Sequence, residues 1–529
     1  MTIWKAVRWS AIAVMGTLVA LTIVAAAGSR TGPLRRLVIA TLAERLDSDV
    51  ELAAFSVDTF PRVVIRGEGL TLSLRAQAPN LPPLIQIKSF VVHSSLMDLM
   101  QRPRRFREVT LDGLVVNIPP GGIKIGGPRP EAAGPLPESQ IKPRDRGKPG
   151  QSPILVDVLT ANGAMLRIIP RREGKDPKEF AIHALTMTTL GLAQQMPFTA
   201  TLTNPLPKGL IETTGTFGPW RKDDPGTTPL AGDYSFQKAD LGTIKGIGGI
   251  LDSTGRFDGQ LDKINVKGTT TTPDFHLDIA GQPVALSTSF VAVVDGTDGD
   301  TYLNEVNAQF LSTALTAKGA VVGTKGVKGR TIDMNVVVHE GRIEDLLTLA
   351  VKADKPLLVG SVALRAAFHL PPGEPDVIER MELKGQFDVG AATFTDRKVQ
   401  EKLVDMSKRA RGLDEDEAAG RVVSNLSGTF DLKDTTLSFS RLSFSLPGAQ
   451  VRLHGAYGLR SEAIEFDGTV RMQATISEAA GGGAKGFFLK MIDPVFRKQG
   501  AGAVVPIKVR GTREQPKFSL DVGRVFKSK

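Results

Sequence analysis

The sequence predicts a mostly β chain: an N-terminal transmembrane helix, then a long series of antiparallel strands with a few amphipathic helices among them. Three observations predict it. The stretch Ile264 to Ile279 reads INVKGTTTTPDFHLDI and Ile507 to Val522 reads IKVRGTREQPKFSLDV, with half of the sixteen aligned positions identical. Apolar residues alternate with polar ones along much of the chain, the period of a half-buried strand. The punctuation of many short strands is there as well, in 55 Gly and 33 Pro against three Trp, three Tyr and 24 Phe. A unit that recurs at such a distance marks a chain built by repetition, which points to a β surface whose function lies in its shape and lining.

The elements follow in order. Residues 1–30 hold the run Ser10 to Gly28, uncharged and rich in Ala, Val, Ile and Leu, long enough to cross ~30 Å of hydrocarbon as a helix. Ala25-Ala26-Ala27 also fits a signal-peptide cleavage site. The length of the run, with Trp4 and Trp9 placed for an interfacial belt, favours an uncleaved anchor. Lys5 and Arg8 precede it while Arg30, Arg35 and Arg36 follow it, so charge alone does not orient it. Residues 31–118 form an amphipathic helix and an N-terminal β region. Leu34, Leu37, Val38, Thr41, Leu42 and Leu46 share a helical face after Pro33, and alternation takes over from Val63, broken by a short helical piece at Ser95 to Met100.

Residues 119–153 are rich in Pro and Gly with mixed charge, a composition that cannot bury enough apolar area to fold alone, and they read as a disordered linker. Strands resume over 154–395, with turns at Asn204-Pro205, Asp224-Pro225-Gly226 and Asp295-Gly296. Within the repeat, Gly268-Thr269 and Gly511-Thr512 are expected to break one strand from the next. Residues 396–420 form a helical insertion, since Val399, Leu403, Met406, Ala410 and Leu413 keep helical spacing. Residues 421–529 are a C-terminal β region with a second short helix over about 484–498. Helices here suit caps over a sheet edge. The chain shows roughly 25 to 30 strand-like runs; one continuous sheet of them would extend on the order of 120 to 145 Å.

Enzymatic chemistry finds little support. With no Cys among 529 residues, disulfides, Cys-ligated zinc and thiol catalysis are excluded together. The six His are scattered without metal-ligand spacing. Gly246-Ile247-Gly248-Gly249 lacks a dinucleotide fingerprint or a P-loop Lys, and Asp295, Asp298 and Asp300 suit a hairpin loop better than a calcium site. No catalytic residue, metal or cofactor is expected. The net charge of +10 points to anionic lipid headgroups, with Arg102, Arg104, Arg105 and Arg107 as the densest cluster, rather than to nucleic acid, for which no aromatic-interleaved basic stripe exists.

The apolar alternation is the most informative pattern. Leu437 and Phe439, then Leu442, Phe444 and Leu446, then Val451 and Leu453 keep one face aliphatic or aromatic, while the slip between Phe439 and Leu442 calls for a bulge. Val266, Phe275, Leu277 and Ile279, and in the second copy of the repeat Ile507, Val509, Phe518 and Leu520, alternate in the same way. Periodicity alone favours an ordinary sandwich whose apolar faces bury each other; an open apolar face is the alternative.

Three segments bring in a resemblance. The opening, with its anchor, its helix, Phe60-Pro61-Arg62-Val63-Val64-Ile65-Arg66-Gly67, Ser95-Leu96-x-x-Leu99 and the strand Val109 to Ile118, resembles the AsmA-like proteins of Gram-negative envelopes. So do FDVGAATFTDRKVQEKLVDMSKRARG from Phe387 to Gly412 and the tail Asp493 to Val522. The resemblance covers both ends and most of the β region, through structural patterns rather than a catalytic signature. It implies an inner-membrane, single-pass anchor, a body in the periplasm, and an extended, curved, repeating β-groove of the bridge-like lipid-transfer type. Val266, Phe275, Leu277, Ile279, Leu437, Phe439, Phe444, Leu446, Val451, Leu453, Ile507, Val509, Phe518 and Leu520 would then line the groove. Phospholipids and the inner membrane are the implied partners, with outer-membrane or periplasmic proteins beside them, and the implied role is lipid transport and outer-membrane homeostasis without covalent chemistry. The competing class is a non-catalytic scaffold for outer-membrane protein assembly, whose apolar residues would be sealed between sheets.

Overall fold

The computed structural model describes most of residues 35–520. Segments 75–81, 119–153, 170–177, 412–423 and 475–502, both ends and a number of shorter stretches and single positions lie outside the described residues. The expected anchor, the linker and the helix over 484–498 fall in those segments. Among the described residues there are 24 strands, and no helix is long and apolar enough to cross a membrane. The chain divides into two compact units: Met1–Ala239 with Asp252–Gly268 and Val293–Asp298, and Asp240–Leu251 with Thr269–Ala292 and Gly299–Lys529.

In the first unit β1 (Ser48–Asp58), β2 (Val63–Leu74), β3 (Ile85–Ser94), β4 (Arg104–Ile118), β5 (Ile154–Ile168), β6 (Lys178–Leu190), β7 (Met196–Pro205) and β8 (Lys208–Phe217) each pair with the next. All these pairings are antiparallel except β4 with β5, which run parallel, Arg104 opposite Ile154 and Ile118 opposite Ile168. This corrects the expectation of a purely antiparallel sheet. A parallel neighbour needs a connection of a dozen residues or more, and the 35-residue segment 119–153 between β4 and β5 supplies that length.

A sealed core holds this unit together. Leu52, Val63, Ile65, Leu70, Val92, Phe106 and Val156 are almost fully buried in one cluster. The chain at 35–43 is helical where described; its Val38 is buried in the same cluster, and Arg35 Nε donates to Leu52 O at 2.7 Å. A short helix, α1 (Leu96–Met100), follows β3: Ser95 caps it by accepting from Asp98 N, and Leu99 plugs it into the core.

Glycines crease the sheet. Gly69, Gly113 and Gly163 have φ of 63°, 62° and 56°, the left-handed region that other residues enter only at a cost. The registers set them at one level with Ala53 and Lys88, since Leu52 pairs with Leu70, Ile87 with Leu70 and Leu114, and Asp112 with Asn162. Each crease reverses the alternation. Leu52 and Phe55, Ile65 and Leu70, and Ile87 and Phe90 are odd numbers of residues apart, yet all are buried; strict alternation would have put one of each pair in water.

Between the long meanders run β9 (Pro229–Asp240), β10 (Ile247–Gly248), β11 (Ile250–Gln260), β12 (Lys263–Leu277) and β13 (Val284–Val294). The repeat is corrected here. Its first copy is one uninterrupted strand, β12, because the β-branched run Thr269 to Thr272 carries the extended backbone past Gly268. Its second copy turns: Gly511 takes φ 115°, and Gln515 N donates to Thr512 O at 3.1 Å.

The second unit holds a second meander of β14 (Thr301–Phe310), β15 (Thr313–Gly323), β16 (Arg330–Arg342), β17 (Leu358–Leu370), β18 (Glu382–Phe394), β19 (Ser424–Lys433), β20 (Thr436–Leu446), β21 (Ala449–Gly458), β22 (Ala463–Met472), β23 (Ala503–Thr512) and β24 (Pro516–Leu520). Each pairs antiparallel with the next. Three helices interrupt it: α2 (Ile343–Ala350), α3 (Val377–Arg380) and α4 (Arg397–Arg411). Alpha-four is the expected helical insertion. Alternation had carried the strand expectation through α2 and α3, and there it was wrong.

Candidate functional site

Residues opposite one another in a ladder share a face, so the registers of the second unit can be followed from strand to strand. One row crosses all eleven strands: Val306, Ala317, Val336, Ala366, Gly385, Phe430, Phe439, Gly455, Phe466, Val509 and Phe518. A second runs through Val338, Leu364, Phe387, Gly428, Leu442, Leu453, Gly468, Ile507 and Leu520. Beyond it lie Val362, Val389, Leu426, Phe444, Val451, Val470 and Val505. On the other side lie Met334, Phe368, Leu383, Leu432, Leu437, Tyr457 and Ile464. These four rows contain no charged residue. The residues between them, Lys384, Gln386, Arg441, Arg452, His454, Glu465 and Arg510 among them, belong to the opposite face.

The expected bulge is present. Thr429 pairs with Arg441 and Phe430 with Phe439, so Ser440 is the extra residue that restores Leu442 and Phe444 to the apolar face.

Glycine and phenylalanine pack the face together. A Cβ on Gly428 would meet the Phe387 ring at 2.7 Å, and one on Gly385 would meet Phe430 at 2.9 Å. Each ring therefore lies over a bare stretch of the neighbouring backbone, the arrangement in which an aromatic compensates a strand glycine. The rings also meet one another: Phe387–Phe430 at 6.2 Å, Phe387–Phe439 at 6.4 Å and Phe439–Phe466 at 5.8 Å between centroids, within the range of favourable aromatic pairs.

Burial distinguishes the two arrangements that alternation left open. In a sandwich the central rows would be the most sealed. Here Leu364, Phe387, Phe430, Phe439, Leu442 and Leu453 are only half-buried, although Ala317, Ala366, Phe466 and Val509 of the central row and Leu432 beyond it are buried, and two sealed clusters stand at one end. There α2 lays Ile343, Leu346 and Leu347 against Leu358, Val362, Val389 and Ala392. Alongside, α4 lays Leu403, Val404 and Ala410 against Phe444, Leu446 and Ala449. Both are caps over the sheet, as expected of such helices. The central rows are covered by neither.

The α2 cap is fastened by charge. Glu344 accepts from Arg342 Nε at 2.6 Å and from Gly360 N at 3.1 Å. Burial pushes its pKa up, but those donors prevail and hold the carboxyl below its ordinary value. Asp345 is buried and accepts from Thr313 Oγ1 at 2.8 Å and Ser312 N at 3.0 Å.

The sequence-expected lining residues divide as follows. Leu437, Phe439, Phe444, Leu446, Val451, Leu453, Ile507 and Val509 stand on the one apolar face, and the backbone positions of Phe518 and Leu520 fall in its rows. Val266, Phe275 and Leu277 are half-buried on β12, with Leu277 opposite Ile247. Ile279 lies outside the described residues. Missed were Phe387, Phe430 and Phe466, though Phe387 and Phe430 each head an alternating run that could have been found; Leu442, read on the apolar alternation but not counted among the lining residues, stands in the same rows. A hollow of about 790 Å³ spans β16 to β20 at the level of the central row. Its lining includes Arg365, Lys384 and Asp431 from the opposite face, so an acyl chain is not its natural occupant.

Among the described residues no group of three His, Asp or Glu side chains is placed to hold a metal ion. Asp300 instead bonds Arg330 Nη1 at 2.6 Å and Gly323 N at 2.7 Å. The chain was compared with protein-family models, curated proteins and solved structures. None matches it.

Proposed function

We propose that this protein binds phospholipid acyl chains along the apolar face of β14–β24 and contributes to lipid movement between the membranes of a Gram-negative envelope. The anchor is the run Ser10 to Gly28, and the body lies in the periplasm. The observation that supports the reading is the half-burial of Leu364, Phe387, Phe430, Phe439, Leu442 and Leu453 within four charge-free rows, which α2 and α4 cover at one end. Such a face costs free energy in water, on the order of 25 cal/mol for each Å² of apolar surface left exposed, and contiguous apolar surface of this kind marks a binding site. Acyl chains need no hydrogen bonds and can slide along a uniform lining, so the process requires no covalent step and no cofactor. The resemblance to AsmA-like proteins supplies the lipid class and the compartment.

The test is lipid extraction from the purified full chain followed by mass spectrometry, with Phe439→Asp and Ser438→Asp compared. These neighbours point to opposite faces, so the expected result is loss of co-purified phospholipid in Phe439→Asp alone. A folded wild-type chain without lipid sinks the reading and favours a scaffold that engages outer-membrane proteins through the same face.

A further inference from the structure

The first unit displays a second apolar feature, at the end of its sheet where β1 turns into β2 and β3 passes through α1 into β4. Phe60 is 91% exposed, Met100 81% and Met97 72%. Val63 pairs with Ser94, so the turn carrying Phe60 and the helix carrying both methionines emerge at the same end of adjacent strands. Three large apolar side chains so exposed are unusual on a surface that meets only water.

The corner is rigid. Leu99 is buried beneath α1, Ser95 caps its start, Arg107 Nε bonds Asp98 at 2.8 Å, and Ser94 Oγ donates to Arg105 O at 2.7 Å. The methionines are therefore held outward rather than left loose.

The charge around them has one sign in excess. Arg62, Arg66, Arg102, Arg104, Arg105 and Arg107 lie at this end against the carboxylates Asp58, Asp98, Glu108 and Asp157, with His93 the remaining titratable group. Three of the carboxylates are engaged internally, Asp58 by Arg66, Asp98 by Arg107 and Asp157 by Arg105. An apolar tip collared by arginines matches an anionic bilayer, with hydrocarbon for the tip and phosphates for the collar.

The chain's own course is compatible with the same occupant. Arg35 is fastened to Leu52 in mid β1, and seven peptide steps from Gly28 reach at most roughly 25 Å. From Leu52 to Asp58 is about 20 Å of strand. The apolar run of the anchor can therefore enter a bilayer against which this end rests.

We infer that Phe60, Met97 and Met100 insert into the leaflet that holds the anchor, with Arg62, Arg102 and Arg104 binding its anionic headgroups. The inference rests on the anchored reading of the chain and concerns a different surface from the lipid-binding face of the second unit.

The chain has no Cys, so single-site labelling is clean. Full-length Phe60→Cys, Met97→Cys and Met100→Cys, with Glu51→Cys as a control, would each carry an environment-sensitive dye and be reconstituted in vesicles with and without phosphatidylglycerol. Blue-shifted emission and quenching by nitroxide lipids at 60, 97 and 100 but not at 51, strongest with phosphatidylglycerol and weakened by Arg102→Glu with Arg104→Glu, is the expected result. Water-like emission at all three in a chain that floats with the vesicles overturns the inference and leaves the anchor standing. A chain that does not float overturns both, and equal insertion in phosphatidylcholine alone overturns the anionic assignment. Lipid held by β14–β24 is read separately by extraction, so failure here is distinguishable from failure there.

Discussion

Phe387 reaches across Gly428 to meet Phe439 edge to face, with ring centroids 6.4 Å apart and planes at 83°. Two strands separated by a third are thereby joined through a side chain, because the intervening residue has none. Replacing Gly428 by Val forces the ring off the strand it covers. The expected cost is about 1–3 kcal/mol, read as a lower thermal midpoint with unchanged far-UV dichroism.

The sealed and open parts of the chain should respond differently to the same deletion. Phe106 is fully buried in the first unit, and Phe106→Ala is expected to cost about 3–5 kcal/mol. Phe439 is half-buried, so Phe439→Ala should cost distinctly less while lowering bound lipid. Denaturant melts beside lipid extraction would show the two effects dissociating; equal destabilisation would mean that the apolar face is sealed.

The crease offers a backbone test. A Cβ on Gly163 meets nothing within 4 Å, whereas one on Gly113 meets Lys88 Cβ at 2.9 Å. Gly163→Ala should therefore cost only the left-handed penalty, about 1–2 kcal/mol, and Gly113→Ala more. Thermal midpoints of the two variants decide the order.

Acid should loosen the α2 cap. The carboxyl of Glu344 is lowered in the folded chain, so its stabilisation is present above the unfolded value of about 4.3 and is lost as pH falls through the folded one. Glu344→Gln should lower stability at neutral pH and flatten the acid limb below about pH 4.3. Melting curves across that limb check it; a variant that keeps the wild-type slope would place the acid sensitivity elsewhere, with Asp98, whose carboxyl is also lowered by Ser95 and Arg107, the next group to replace.

Alternation was legible in the sequence because one side of each strand of the second unit meets water and selection of residue type follows that difference. The bulge at Ser440 was legible too, since a slip in parity has only one geometric remedy. The parity slips at Leu52/Phe55, Ile65/Leu70 and Ile87/Phe90 were equally present, yet only the common level of Gly69, Gly113 and Gly163 reveals a shared crease, and that level exists only once registers are set. The repeat shows the limit most directly: half of its positions are identical, but β12 runs straight where β23 and β24 turn, because the residues that differ, Thr270 to Thr272 against Arg513 to Gln515, decide whether the backbone stays extended.

By itself, then, the sequence determined that this protein is made of strands with one apolar and one polar side, and where its helical insertion near 397–411 stands. Tertiary structure alone decided that β4 and β5 pair parallel, that α2 and α4 cover the same end of the sheet, and that Phe387, Phe430 and Phe439 stay half-buried. The physical reason is that residue type reports the local contest between water and apolar cover, whereas register, the partner of a strand after a long connection, and which face remains uncovered are set by contacts between residues far apart in the chain.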